Sequence, residues 1–230
     1  MAIYMPEEKP RELPPPGSHL AVCYMICDLG TQPGGRFPAR RQILIAWELP
    51  EELRADGQPF TISRRYGYSS NSNSNLRGDV ESWLGRVLTS ADLGKLDLTD
   101  QLGCSCILGV KHESHEDGRV FANVTSVMAP GKGAAKRLPP TNAAMALNLD
   151  DRPFDYATFE ALPDWVRKLI EGSSEYKGIV NPAPAAPANV QKRLRARLAE
   201  KDALARELDD EIPDFDAPVP DKKLPKRGTR

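Results

Sequence analysis

The sequence predicts a mainly β protein: a five-stranded barrel with a helix between its third and fourth strands, followed by C-terminal helices and a disordered tail. Three observations carry this. Five β-prone apolar segments fall within about 110 residues, separated by Gly, Pro and Asp-Gly turns. A single stretch of helical spacing interrupts them after the third. Beyond residue 130 the composition shifts to Gly, Pro, Ala and charge, in a chain whose 21 prolines among 230 residues exceed the usual ~5%.

Residues 1–16 read as an extended arm ending in Pro14-Pro15-Pro16. Residues 19–29, HLAVCYMICDL, are nearly continuous apolar and β-prone, which predicts a buried strand. Gly30, Pro33, Gly34 and Gly35 predict a turn after it. Residues 41–49 form the second strand, Asp56-Gly57 a turn, and residues 59–68 the third strand. Ser69 to Asn75 is too polar and turn-prone for a strand. Leu76, Val80, Trp83, Leu84 and Val87 then recur at helical spacing, with Asn73 or Ser74 able to cap the helix. A short helical or turn segment covers 90–103. Strands at 104–112 and 119–128 complete the set around Glu116-Asp117-Gly118. Strand-strand-strand-helix-strand-strand is the element order of an OB-type barrel, whose helix plugs one end. The OB-fold domain is thus expected over 17–137.

Residues 138–180 read as a docked loop and helix, with an apolar stripe of Phe154, Phe159, Leu162, Val166, Leu169 and Ile170 split by Pro163. Residues 181–188, NPAPAAPA, are a Pro/Ala linker. Residues 189–208 read as a charged helix, suiting either a solvated single helix or a self-association helix, so a homo-oligomer stays open. Residues 209–230 form a disordered acidic-then-basic tail.

Lys+Arg 31 against Asp+Glu 32 leaves a net charge of -1, which excludes a wholly basic nucleic-acid coat but leaves room for a local basic groove. No apolar run reaches the ~20 residues that span a bilayer, so no membrane is expected. The N-terminus lacks the apolar core of a signal peptide, which predicts a cytoplasmic protein. Cys23, Cys27, Cys104 and Cys106 stand at spacings unusual for zinc and read as reduced, buried thiols. No phosphate-loop, nucleophile-elbow, zinc-protease or dinucleotide motif occurs, and the acidic residues lie scattered over turns. The reading is of a non-enzyme with no cofactor and no metal.

Binding residues are better represented. Arg64, Arg65, Tyr66 and Tyr68 crowd the third strand, and Arg40, Arg41 and Trp47 mark the second. Arginines follow phosphates, and aromatic faces stack unpaired bases at ~1–3 kcal/mol per base. Tyr24, Phe121 and the loop Gly34-Gly35-Arg36-Phe37 add to the inventory, with barrel core the competing role for Trp47, Tyr24 and Phe121. Between Gly17 and Arg137 the charges nearly balance, 14 basic against 13 acidic. A basic face therefore requires segregation.

The tail reads DDEIPDFD over 209–216. Isolated Ile212, Pro213 and Phe215 among acids do nothing for solubility; they suit anchors that enter an apolar pocket on a partner while acids meet a basic rim. Asp209, Asp210, Glu211, Ile212, Pro213 and Phe215 resemble the acidic C-terminal tip of bacterial single-strand DNA-binding proteins, which recruits replication, repair and recombination enzymes. There the Phe is terminal and its carboxylate is read. Here Asp214 displaces it by one place and 15 residues follow it. The runs GSHLAVCYMICDLGTQ, RRQILIAWELP, GQPFTISRRYGYS, SNLRGDVESWLGR and ALPDWVRKLIEGSSEY, within about 17–178, resemble a phage and prophage family associated with replication and recombination modules. That resemblance implies single-stranded DNA binding inside a bacterial host cell. The expected function is single-stranded DNA binding in an OB groove, with partner recruitment through the tail. The alternatives are an adaptor or inhibitor of a host protein that never touches DNA, and an RNA-binding OB protein.

Overall fold

Strand β1 spans Gly17–Gly34 and β2 spans Phe37–Leu53, so the central hairpin is far longer than the two apolar runs that announce it. Glycine and proline near the turn do not end β1. Gly30 takes φ 67° at a bulge between Asp28 and Gly30, and pairing resumes as far as Gly34 opposite Phe37. A bulge bends and twists a strand without ending its ladder. A computed structural model of the chain describes residues 12–35, 37–115, 118–131 and 133–182. The chain divides into two units, Met1–Pro182 and Ala183–Arg230. Arm residues 1–11, linker residues 183–188, the helix expected over 189–208 and the tail 209–230 lie outside the described residues.

β3 (Pro59–Gly67) pairs antiparallel with β2. Helix α1 (Asn75–Leu84) follows, capped by Ser74, whose side chain accepts from the Arg77 N–H, and closed by Gly85 at φ 65°. Next come α2 (Ser90–Leu93) and a 3₁₀ turn at Leu98–Gln101. β4 (Ser105–Ser114) pairs with β1, and β5 (Val120–Met128) with β4. A sixth strand, β6 (Met145–Leu147), lies in a segment that reads as loop and pairs in parallel with β1 at Met25–Cys27. Helices α3 (Tyr156–Ala161), α4 (Asp164–Gly172) and α5 (Ser174–Val180) end the described chain.

The protein is mainly β, with one open six-stranded sheet ordered β3-β2-β1-β4-β5 and β6 beside β1. β1 is long enough to hold β4 along Gly17–Val22 and β6 farther on, on the same edge. No β3–β5 ladder is recorded among the described residues, although Cα atoms of these two end strands approach within 8 Å.

Both faces of the β1–β2 hairpin are buried, which is why HLAVCYMICDL shows no alternation. The bulge between Cys23 and Met25 reverses which parity points inward. Ala21, Cys23 and then Ile26 join Ile45, Trp47 and Leu49 of β2 under α1, whose Leu76, Val80 and Trp83 are buried. Tyr24, Met25, Cys27 and Leu29 face the other way, with Leu44 and Ala46, beneath Leu147, Phe159, Val166 and Ile170. Burial of each Val, Leu, Ile, Met or Phe among them stabilises the fold by ~1.5–3 kcal/mol. Burial also pushes the Cys27 thiol up to about 12, and raises Cys23 and Cys106. These thiols therefore stay protonated and pack as hydrophobes. Among the described residues no His, Cys, Asp or Glu cluster is placed to hold a metal ion, and no helix is long and apolar enough to cross a membrane.

Glu48 and Glu175 each tie the C-terminal segment to the sheet. Glu48, almost fully buried on β2, accepts from the Thr141 N–H (2.6 Å), the Asn142 N–H (2.9 Å) and Asn142 Nδ2 (2.7 Å). Glu175 of α5 accepts from the Thr31 N–H and Oγ1, both at 2.7 Å. Partial burial opposes ionisation of Glu175, but the two Thr31 bonds, together with its own N–H and the Ser174 hydroxyl, outweigh it and hold the carboxyl at about 2. A folded-state pKa depressed below the unfolded 4.5 contributes stability above pH 4.5, and that contribution disappears as pH falls through about 2. The difference in melting temperature between wild type and Glu175→Gln should thus be full at pH 6 and shrink steadily from pH 4.5 toward 2. A difference that stays constant over that range would show that the carboxylate charge plays no part.

Candidate functional site

β3 alternates between two environments. Ile62, Arg64 and Tyr66 lie opposite Trp47, Ile45 and Ile43 on the α1 side of the sheet; Ser63, Arg65 and Gly67 lie opposite Ala46, Leu44 and Gln42 on the outer side. Strand period 2 therefore divides the Arg-Arg-Tyr-Gly-Tyr run between interior and exterior.

Two expected stacking rings are corrected by this geometry. Trp47 has no exposed surface and packs 5.9 Å, centroid to centroid, from Trp83. Tyr66 is 2% exposed. Its hydroxyl donates to Asp79 Oδ2 at 2.7 Å, and Arg64 Nη1 donates to the same oxygen at 2.8 Å. The Arg64 guanidinium stands 5.1 Å from the Tyr66 ring centroid. Burial raises the Tyr66 phenol, with Asp79 adding to the effect. Burial likewise raises the Asp79 carboxyl, against its bonds to Tyr66 and Arg64. This cluster fastens β3 to α1. Neither ring offers a face to a base, because the core has already taken both.

Arg41 is similarly committed. It ion-pairs with Asp28, and its Nη2 reaches Asp150 at 2.8 Å. Asp28 also accepts from the Gly30 N–H at 2.9 Å and the Leu149 N–H at 3.3 Å, so the group joins β1, β2 and the turn after β6. The Asp28 bond, opposed by burial, raises the Arg41 pKa further. Tyr68, 58% exposed, lies with its centroid 5.8 Å from the Arg41 guanidinium.

Arg40 and Arg65 are exposed on the outer side, and neither has a recorded partner among the described residues. Gly67 lies between them: a Cβ there would come within 3.3 Å of the Arg40 guanidinium, so the missing side chain makes room for it.

Two clefts divide the remaining residues. One, of about 780 Å³, is lined by Arg41, Tyr68, Ser69, Arg77 and Lys95 over a floor that includes Ile26 and Ile43. The other, of about 380 Å³, lies where β3 and β5 approach; Ser63, Arg64, Arg65, Asn123, Val124 and Trp165 line it. Trp165 of α4 is 48% exposed. It escapes the sequence reading because it lies off the apolar stripe of its helix. The available signal is a large aromatic at the margin of the apolar stripe of α4, one turn before Leu169 and beside Lys168, where burial is incomplete. Phe121 is half-buried, with the Arg119 guanidinium 5.9 Å from its centroid and the His115 ring at 4.9 Å. Tyr24 is interior. Arg36 and the Phe37 side chain lie outside the described residues, as do Asp209, Asp210, Glu211, Ile212, Pro213 and Phe215.

Fold and site together define a mainly β protein whose outer sheet face carries unengaged arginines beside an exposed tryptophan. Compared with known proteins, the chain matches no family model and no curated protein.

Proposed function

We propose that this chain is a non-enzymatic single-stranded DNA-binding protein built on an OB-type barrel. The observation that carries the reading is the pair Arg40 and Arg65, exposed and without recorded partners on the outer face of β2 and β3 among the described residues. That face is where OB folds bind oligonucleotides. Strand order supports it: β3-β2-β1-β4-β5 is the circuit of an OB barrel opened between its third and fifth strands, and those two strands lie close. Helices α3 to α5 cover the outer side of β1 and of β2 near Leu44 and Ala46, which leaves the β3 margin for a ligand. We extend the proposal to a role in a phage replication or recombination module, which the resemblance read from the sequence implies. The acidic tail then serves to recruit replication or recombination proteins, with Ile212 and Phe215 as anchors.

Titration with oligo-dT and with a duplex of equal length, at two salt concentrations, tests the proposal. Single strands should bind more tightly, and log affinity should fall with log salt by about 0.7 for each phosphate contacted. Arg40→Ala with Arg65→Ala should lower that slope by about 1.4 while the melting temperature holds. Equal affinity for duplex would remove the stacking component.

One observation favours the second reading, an adaptor for a host protein. Arg41, Arg64 and Arg77 are each engaged by an acidic side chain of this chain, respectively Asp28, Asp79 and Glu81. A folded protein that ignores oligo-dT and oligo-U at low salt would overturn the nucleic-acid reading and leave the adaptor as the stronger one.

A further inference from the structure

Of the three tryptophans, Trp47 and Trp83 are buried in the sheet core, and Trp165 alone is exposed. It is held on α4, a helix whose Val166 and Ile170 are fully buried, so its backbone is anchored to the core. It opens onto the 380 Å³ cleft together with Ser63 and Arg65 from β3 and Asn123 from β5. Lys168 follows Trp165 by three residues and so lies on the same helix face. Lys168 is exposed and, like Arg65, has no recorded partner among the described residues. Two other cations nearby are engaged within the chain, Arg167 by Asp164 and Arg64, which also lines the cleft, by Asp79; Arg65 and Lys168 remain for a ligand.

The arrangement supplies what one unpaired base of a strand requires. The indole provides a flat apolar face, which gains from covering its exposed half. Arg65 lines the same cleft, and Lys168 stands one turn along α4 from the ring, so each can supply a cation to the phosphate backbone. Asn123 and Ser63 offer hydrogen-bonding groups in the walls. Asn123 Nδ2 already donates to Glu113 at 2.7 Å, which leaves its carbonyl oxygen as an acceptor for a base edge.

We propose that the cleft between β3, β5 and α4 is a pocket for one unpaired nucleobase, with Trp165 as its stacking face and Arg65 and Lys168 as contacts to the flanking phosphates. The inference rests on the single-stranded DNA reading and assigns to it a residue outside the barrel strands.

The test uses the full chain and oligo-dT, followed both by intrinsic tryptophan emission and by anisotropy of a labelled oligonucleotide. Because the other two indoles are buried, emission should be quenched on binding in wild type, and Trp165→Phe should lose the quench while keeping most of the affinity. Trp165→Ala should weaken binding by about 5- to 150-fold, the equivalent of one stacked base. Lys168→Ala should lower the salt slope by about 0.7. Melting temperatures should hold, since both side chains are exposed. If labelled oligo-dT binds wild type and Trp165→Ala equally and emission does not change, the pocket is overturned while DNA binding stands. If wild type fails to bind oligo-dT at all, both fall.

Discussion

Trp47→Ala should cost about 3–5 kcal/mol of stability, the usual range for deleting a large buried aromatic. That loss should exceed the loss from truncating any exposed side chain of the sheet. Trp47 is fully buried, sits mid-way along β2 between Cys23 of β1 and Ile62 of β3, and contacts Trp83 of α1. Its removal therefore opens a cavity where sheet and helix meet, and close packing on every side prevents full collapse. Urea unfolding should show a lower midpoint, while the fraction that stays folded binds oligo-dT as wild type does. Trp47→Phe should be much milder than its lost volume suggests. Trp47 Nε1 is buried without a hydrogen-bond partner among the described residues, so exchanging the indole for a phenyl ring removes an unsatisfied donor along with some packing. Reduced oligo-dT affinity in folded Trp47→Phe would return this residue to the binding site.

Glu48→Ala should cost about 3 kcal/mol, by a different route. The carboxylate takes three N–H donors from Thr141 and Asn142, and charged hydrogen bonds contribute ~1.5–3 kcal/mol each without adding fully. Without it, the loop before β6 loses its anchor, and the donors must find water. Hydrogen exchange should report faster exchange at Thr141 and Asn142 and, behind them, at β6, before the β1–β2 ladder opens. Glu48→Gln should recover only part of the loss, because its amide NH₂ meets donors where an acceptor is needed. Uniform acceleration across the whole sheet would mean that Glu48 stabilises the protein globally and does not anchor this loop.

Element order was legible in the sequence because local signals are strong there. Apolar runs bounded by glycine marked the five longer strands, and Leu76, Val80 and Trp83 repeat at 3.6-residue spacing in α1. Strand lengths were not legible. Gly30 and Pro33 read as a turn, yet the hairpin continues past them because Gly30 can take a positive φ at a bulge. β6 was illegible for another reason: three residues carry no periodicity, and only the open edge of β1 beyond β4 makes them a strand.

The candidate site was legible in residue type but not in placement. Arg64-Arg65-Tyr66-Gly67-Tyr68 announces cations and rings, and its period of 2 requires that one set face inward; composition cannot say which. The register with β2 sets Arg64 and Tyr66 toward α1, where Asp79 awaits them, and leaves Arg65 outside. Arg41 looked as available as Arg40 until Asp28 and Asp150, 13 residues before it and 109 after it, met on its guanidinium.

The sequence by itself thus determined the mainly β class, the helix between β3 and β4, and the concentration of arginine and aromatic residues on β2 and β3. These depend on propensity and spacing, which act over a few residues. Tertiary structure decided which of those side chains remain for a ligand. Trp47 and Tyr66 were taken by the core and Arg41 by two carboxylates, while Trp165, some hundred residues along from β3, was brought to Arg65. Burial and ion pairing depend on which distant segments meet, and no local pattern encodes that.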